Sequence, residues 1–211
     1  MDMRQKIIEQ ATMLFLKFGI KSITMDAIAQ SLGISKRTIY ELFPNKDCLL
    51  KECIVSRIQA KNDLFLTAKA RSDSNLDFMI YALRNEMLNY SAVNPLFLAE
   101  IKKTHPDIYQ NHLAVEKKKT IAYYQQTLGA LISDGIFRQG ISPYIAAIVL
   151  VELAHGVTAR VSSLNMDSDE MKIFDNLIIN FIRGLCSPKG LSMLNQSIAV
   201  EKIISEIRDK N

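Results

Sequence analysis

The chain has 211 residues, 48% hydrophobic and 23% charged, an ordinary globular composition with room for a small domain and a larger one. Its net charge of +4 is too mild for a broad basic patch to carry a functional argument, and three cysteines without a C-x-x-C pair exclude a disulfide framework. The longest apolar run, Tyr144 to Val151, is far short of a membrane span, and the opening residues run into an amphipathic helix without a signal-peptide core. The expectation is a reduced, cytoplasmic protein with no membrane partner.

In chain order, Ile7, Ile8, Ala11, Leu14, Phe15 and Phe18 mark one face of a first helix. Residues 24–47 carry the most information. Met25, Ile28, Ala29 and Leu32 recur at i, i+3, i+4 and i+7, behind Thr24 as N-cap and with Asp26 in the first turn. Gly33 is suited to end that helix in a left-handed conformation. Ser35 caps a second helix whose Ile39 and Phe43 face inward, and Pro44 stops it. Asn45 caps a third start, with Asp47 in its first turn. Two short helices joined by a tight turn, the second bearing Lys36, Arg37, Thr38, Tyr40 and Glu41 outward, form a helix-turn-helix that places basic and hydroxyl groups in a DNA major groove. Arg37 suits bidentate pairing with guanine; Thr38 suits a thymine methyl or a phosphate. Residues 1–47 hold seven Lys/Arg against five Asp/Glu, so binding rests on local placement of Lys21, Lys36, Arg37 and Lys46. A solvated helical hairpin in an ordinary bundle is the alternative that spacing alone leaves open.

These residues also resemble the tetracycline-repressor (TetR) family. The likeness rests on Phe18-Gly19-Ile20, Ile28-Ala29, Gly33-Ile34-Ser35, Thr38-Ile39-Tyr40 and Phe43-Pro44-Asn45-Lys46, and covers roughly residues 3–55. It implies that Thr24, Ser35, Lys36, Thr38, Tyr40 and Lys46 contact DNA backbone or bases. Arg37, Glu41 and Leu42 depart from the small and aromatic residues common at those positions, which leaves the role of Glu41 open. The resemblance further implies an all-α protein: a three-helix DNA-binding domain over 1–47, then a helical effector-binding and dimerisation bundle over 48–211.

Downstream, no strand alternation occurs. Helical stretches are separated by Arg71–Asn75, Asn94-Pro95, His105–Asp107, Gly140–Pro143, Asn165–Asp169 and Ser187–Gly190, giving about ten helices. A long helix from Asn45 to about Ala70 links the DNA-binding unit to the rest. Phe65, Met87, Tyr90, Phe97, Tyr109, Tyr123 and His155 are candidate effector contacts, with plain core packing as the competing reading for each. Tyr123 and Tyr124 are adjacent, so at most one faces a pocket. Residues 143–164, with Ala146, Ala147, Ala154, Gly156 and Ala159, and residues 170–185, with Ile173, Phe174, Leu177, Ile178, Phe181 and Ile182, suit either a single core or an association surface. The resemblance favours the latter, as a homodimer reading a near-palindromic operator. Residues 191–211 suggest one more helix of undetermined role.

His112 and Glu116 at i, i+4 lack companion ligands, so no metal site is expected, nor any cofactor. Three histidines and no nucleophile motif or phosphate loop argue against an enzyme. The sequence therefore predicts a transcriptional regulator, most simply a repressor released by a small-molecule effector. A helical protein-interaction adaptor that has lost DNA binding is the alternative that Glu41 and Leu42 keep open.

Overall fold

The computed structural model describes residues 2–91, 93–163 and 174–197. Among them the fold is all-α, with no strand beyond one isolated antiparallel bridge between Phe137 and Cys186. The helices are α1 (Met3–Phe18), α2 (Met25–Ser31), α3 (Lys36–Leu42), α4 (Lys46–Arg71), α5 (Asn75–Ser91), α6 (Pro95–Thr104), α7 (Pro106–Ile108), α8 (Val115–Ser133) and α9 (Pro143–Ser163). A π-helical stretch, Tyr109–Ala114, joins α7 to α8, and another, Phe174–Ile179, runs into the helix Asn180–Leu185. Residues 188–197 are helical. The predicted loop Asn165–Asp169, the stripe position Ile173 and everything from Ile198 onward lie outside the described residues.

The chain divides into two compact units: Met1–Leu66 with Asn89–Lys118, and Thr67–Leu88 with Lys119–Asn211. This division differs from the split expected after Asp47. The first unit keeps the front of α4, because Leu49, Leu50, Cys53 and Ile54 are buried with Ile7, Ile8 and Phe15 of α1. It also recruits α6, whose Phe97 and Ile101 join the same core beside Val93. Burying these apolar side chains is the main force holding four short or middling helices together, since helices of seven residues such as α2 and α3 are not stable alone. Arg4 closes the arrangement, meeting Glu52 of α4 at 3.0 Å with its guanidinium 4.8 Å from the Phe43 ring centre.

The second unit buries Leu76, Phe78, Met79, Ile80, Leu83 and Met87 of α5 together with Tyr124, Leu128 and Leu131 of α8. Ala146, Ala147, Leu150, Val151 and Ala154 of α9, and Ile178, Ile182 and Leu194 beyond it, are buried as well. Tyr144 and Ile145 at the start of α9, Leu177 and Leu191 remain exposed. No helix of the described residues is long and apolar enough to cross a membrane.

Candidate nucleic-acid interface

The local signals in residues 24–47 are realised as read. Thr24 Oγ1 accepts the Ala27 N–H at 3.1 Å, satisfying one free amide of α2. Gly33 adopts φ 66°, and Ile34 N–H returns to the Ala29 carbonyl at 3.0 Å, closing the turn. Ser35 Oγ accepts the Thr38 N–H at 3.1 Å and lies 2.8 Å from the Thr38 hydroxyl. α3 ends at Leu42, with Phe43 extended ahead of Pro44 and its ring buried. Asn45 Oδ1 then accepts the Cys48 N–H at 2.8 Å to start α4.

Ile39 is fully buried, which turns the opposite side of α3 to solvent. Arg37, Tyr40 and Glu41 are exposed there, together with Lys36 at the helix start. Lys36 Nζ meets Asp26 Oδ2 at 2.8 Å, a bond that holds its ammonium above the ordinary lysine range, and it sits 5.9 Å from the Tyr40 ring centre. Arg37 Nε donates to Glu41 Oε1 at 2.7 Å. Exposed pairs of this kind add little to stability, so they do not fix the fold. They do set which charges this surface presents.

Lys46, expected at DNA backbone or bases, has its ammonium on the Ile20 carbonyl and lies half-buried 5.9 Å from the Phe15 ring centre. Burial lowers its pKa, opposed by the nearby charges of Glu100 and Asp47. In this conformation it ties the start of α4 to the α1–α2 connection.

Residues that the spacing did not mark hold this unit from α6. Asn94 donates its backbone N–H to the Leu16 carbonyl at 2.9 Å and its side-chain amide to the Lys17 carbonyl at 3.0 Å, capping the end of α1. Glu100 Oε2 accepts from the Ile20 and Lys21 amides. His105 Nε2 lies 3.1 Å from Asp47 Oδ1. The Asn94-Pro95 and His105–Asp107 turn signals were visible in sequence; the partners, 58 to 80 residues away, were not.

The seven candidate effector residues divide between the units. Phe65, Tyr90, Phe97 and Tyr109 belong to the first, where Phe97 is buried core and Tyr109 packs against it. Met87, Tyr123 and His155 belong to the second. There Tyr124 is the buried member of the tyrosine pair, its hydroxyl pKa pushed well up by burial and then by the charge of Glu86. Tyr123 packs edge-on to Phe78 at 5.8 Å, with Lys69 Nζ 5.2 Å from its ring centre. His155 Nε2 meets Glu86 Oε1 at 2.7 Å, both side chains buried. Glu86 carried a sequence signal that went unread, a carboxylate between Leu83 and Met87 on the apolar face of α5. A cleft of about 400 Å³ in the second unit is lined by Lys69, Ser72, Asp73, Ser74, Asn75, Phe78, Leu131, Asp134 and Ile136, none of them among the seven. No group of three or more His, Cys, Asp or Glu side chains arranged to hold a metal occurs among the described residues.

The capped α2–turn–α3 pair, with its outward basic and hydroxyl groups, defines a helix-turn-helix domain of the DNA-binding type. Residues 7–53 match the model of the tetR family of bacterial regulatory proteins, about a fifth of the chain. An uncharacterized HTH-type transcriptional regulator of Bacillus subtilis, YhgD, is 38% identical over 58 residues, 28% of this chain and 30% of that protein. The HTH-type transcriptional repressor KstR of Mycobacterium tuberculosis is 28% identical over 107 residues, 49% and 47% of the two chains. The matched stretches thus span less than half the length of either relative. In fold, the chain resembles a TetR-family transcriptional regulator from Agrobacterium tumefaciens with a TM-score of 0.73 at 15% identity, covering 87% of this chain and 97% of that one.

Proposed function

We propose that this chain is a sequence-specific, DNA-binding transcriptional regulator of the cytoplasm, acting as a homodimer on a near-palindromic operator and released from it by a small-molecule effector. The observation that carries the reading is α3: a short helix capped at Ser35, anchored by Ile39, and presenting Lys36, Arg37 and Tyr40 outward. Two copies related by a two-fold axis would set two such helices in successive major grooves, about 34–36 Å apart. The exposed Tyr144, Ile145 and Leu177 supply apolar surface for that association. KstR, named a repressor, favours repression over activation.

α4 runs from the first unit into the second, since it spans Lys46–Arg71 while the units part at Leu66. A ligand bound in the second unit that favours one placement of α4 would alter the spacing of the recognition helices. Linkage then requires operator DNA to weaken ligand binding by the same factor. The capped helix α3 argues against an adaptor that has lost DNA binding.

The test is selection from random duplex DNA by the purified protein, followed by binding across a salt series. An enriched near-palindrome with a steep salt slope supports the reading, as does loss of binding in Arg37→Ala/Tyr40→Ala with the fold intact. Folded protein, stripped of ligand by unfolding and refolding, that enriches no motif overturns it.

A further inference from the structure

Arg37 and Glu41 each lie two residues from the buried Ile39, so each stands about 200° round α3 from it, on the outermost line of the helix. The line that would run deepest into a groove therefore carries one cation and one anion, not two cations. Their contact is specific: Arg37 Nε donates to Glu41 Oε1 at 2.7 Å. With side chains 88% and 59% exposed, the pair contributes little to the fold, so its geometry is free to serve another end.

A guanidinium carries five N–H donors in one plane. Holding it at Nε leaves the two Nη groups side by side at its tip, and neither has a partner among the described residues. Two coplanar donors at that spacing fit the O6 and N7 acceptors of a single guanine. Without the carboxylate, the same side chain samples many rotamers and can also offer its Nε edge, or reach a phosphate. A bare carboxylate among phosphates lowers affinity for every DNA sequence alike. Affinity is regained only where Arg37 finds its base.

We propose that Glu41 is a positioning residue that sets sequence specificity: it holds Arg37 end-on toward one guanine in each half-site and disfavours DNA that lacks it. This inference rests on the DNA-binding reading above.

The experiment compares the wild-type chain with Glu41→Ala, Glu41→Asp, Arg37→Ala and the Arg37→Ala/Glu41→Ala double variant. Each is put through duplex selection, then competition between the selected site and the same site with its guanine replaced. The wild type is expected to fix one guanine per half-site and to discriminate against its replacement by roughly five- to a hundredfold. Glu41→Ala, which removes both the charge and the acceptor, should bind random DNA more tightly yet lose most of that discrimination. Glu41→Asp, which keeps the charge on a shorter arm, should lose discrimination without gaining affinity for random DNA. The double variant should discriminate no worse than Arg37→Ala alone. Full discrimination in Glu41→Ala overturns the proposal while leaving the regulator reading standing. So does a selected motif whose cytosine preference depends on Glu41 without Arg37. A wild-type protein that enriches no motif overturns both.

Discussion

Glu100 of α6 places Oε2 within 2.5 Å of the Ile20 amide and 3.1 Å from that of Lys21, so one carboxylate satisfies two backbone donors in the connection between α1 and α2. Those amides belong to the turn that sets where the helix-turn-helix begins. A charge-assisted bond is worth more than a neutral one, and an orphaned amide costs its desolvation. Glu100→Ala should lower stability by about 1–2 kcal/mol, allowing for partial exposure. Urea titration would register it as an earlier midpoint with an unchanged slope. Glu100→Gln should lose less, since one oxygen still accepts.

The same contact constrains Gly19. Its φ of 83° and ψ of 166° fall in a region that is essentially glycine-only, and a Cβ built there would stand 3.1 Å from Glu100 Oε2. Gly19→Ala should therefore cost about 1–3 kcal/mol from the backbone alone. The carboxylate must also give way, so the loss in the Glu100→Ala background should be smaller than in the wild type. Additive losses measured by urea titration would show that the two do not share a strain.

How far the sequence could be read follows from the range of each interaction. The helix-turn-helix was legible because every determinant is local: Thr24 and Ser35 reach three residues forward, Gly33 acts on its own φ, and Pro44 on its neighbour. Asn94 and Glu100 act on residues 77 to 80 positions away, and spacing carries no information about such partners. The same limit explains the effector candidates. Phe97 is a candidate effector contact with plain core as the competing reading, and spacing does not show that α6 turns it into the core shared with α1. The family resemblance places Lys46 at DNA backbone or bases. Its approach to the Ile20 carbonyl depends on how α4 meets the α1–α2 connection, which no local pattern encodes.

Glu86 and His155 form a buried polar pair in the second unit, 2.7 Å apart. Removing one partner takes a hydrogen bond from the other while it stays buried, which costs about 1–3 kcal/mol. Glu86→Leu and His155→Leu should each approach that loss. The two single losses share one bond, so Glu86→Leu/His155→Leu should lose less than the sum of the two. Thermal unfolding of the four proteins decides it; a double variant as unstable as the sum of the singles would mean that the pair fixes packing by shape.

The three cysteines should separate by environment. Cys48 is exposed at the start of α4, whereas Cys53 and Cys186 are buried, and burial pushes each of their thiols from 9.0 up to about 11. The thiolate is the reactive form, so at neutral pH a thiol reagent should modify one cysteine quickly in the native protein and all three in denaturant. Cys48→Ser should abolish the fast phase. The raised values also predict a direction for stability. The folded protein holds these protons more tightly than the unfolded chain, so their contribution is complete below about pH 9. It declines between pH 9 and 11, where only the unfolded chain has released them. Urea midpoints measured from pH 8 to 11 should fall across that window. In Cys53→Ala, which removes one of the two groups, the fall should be shallower even though the variant starts from a lower stability.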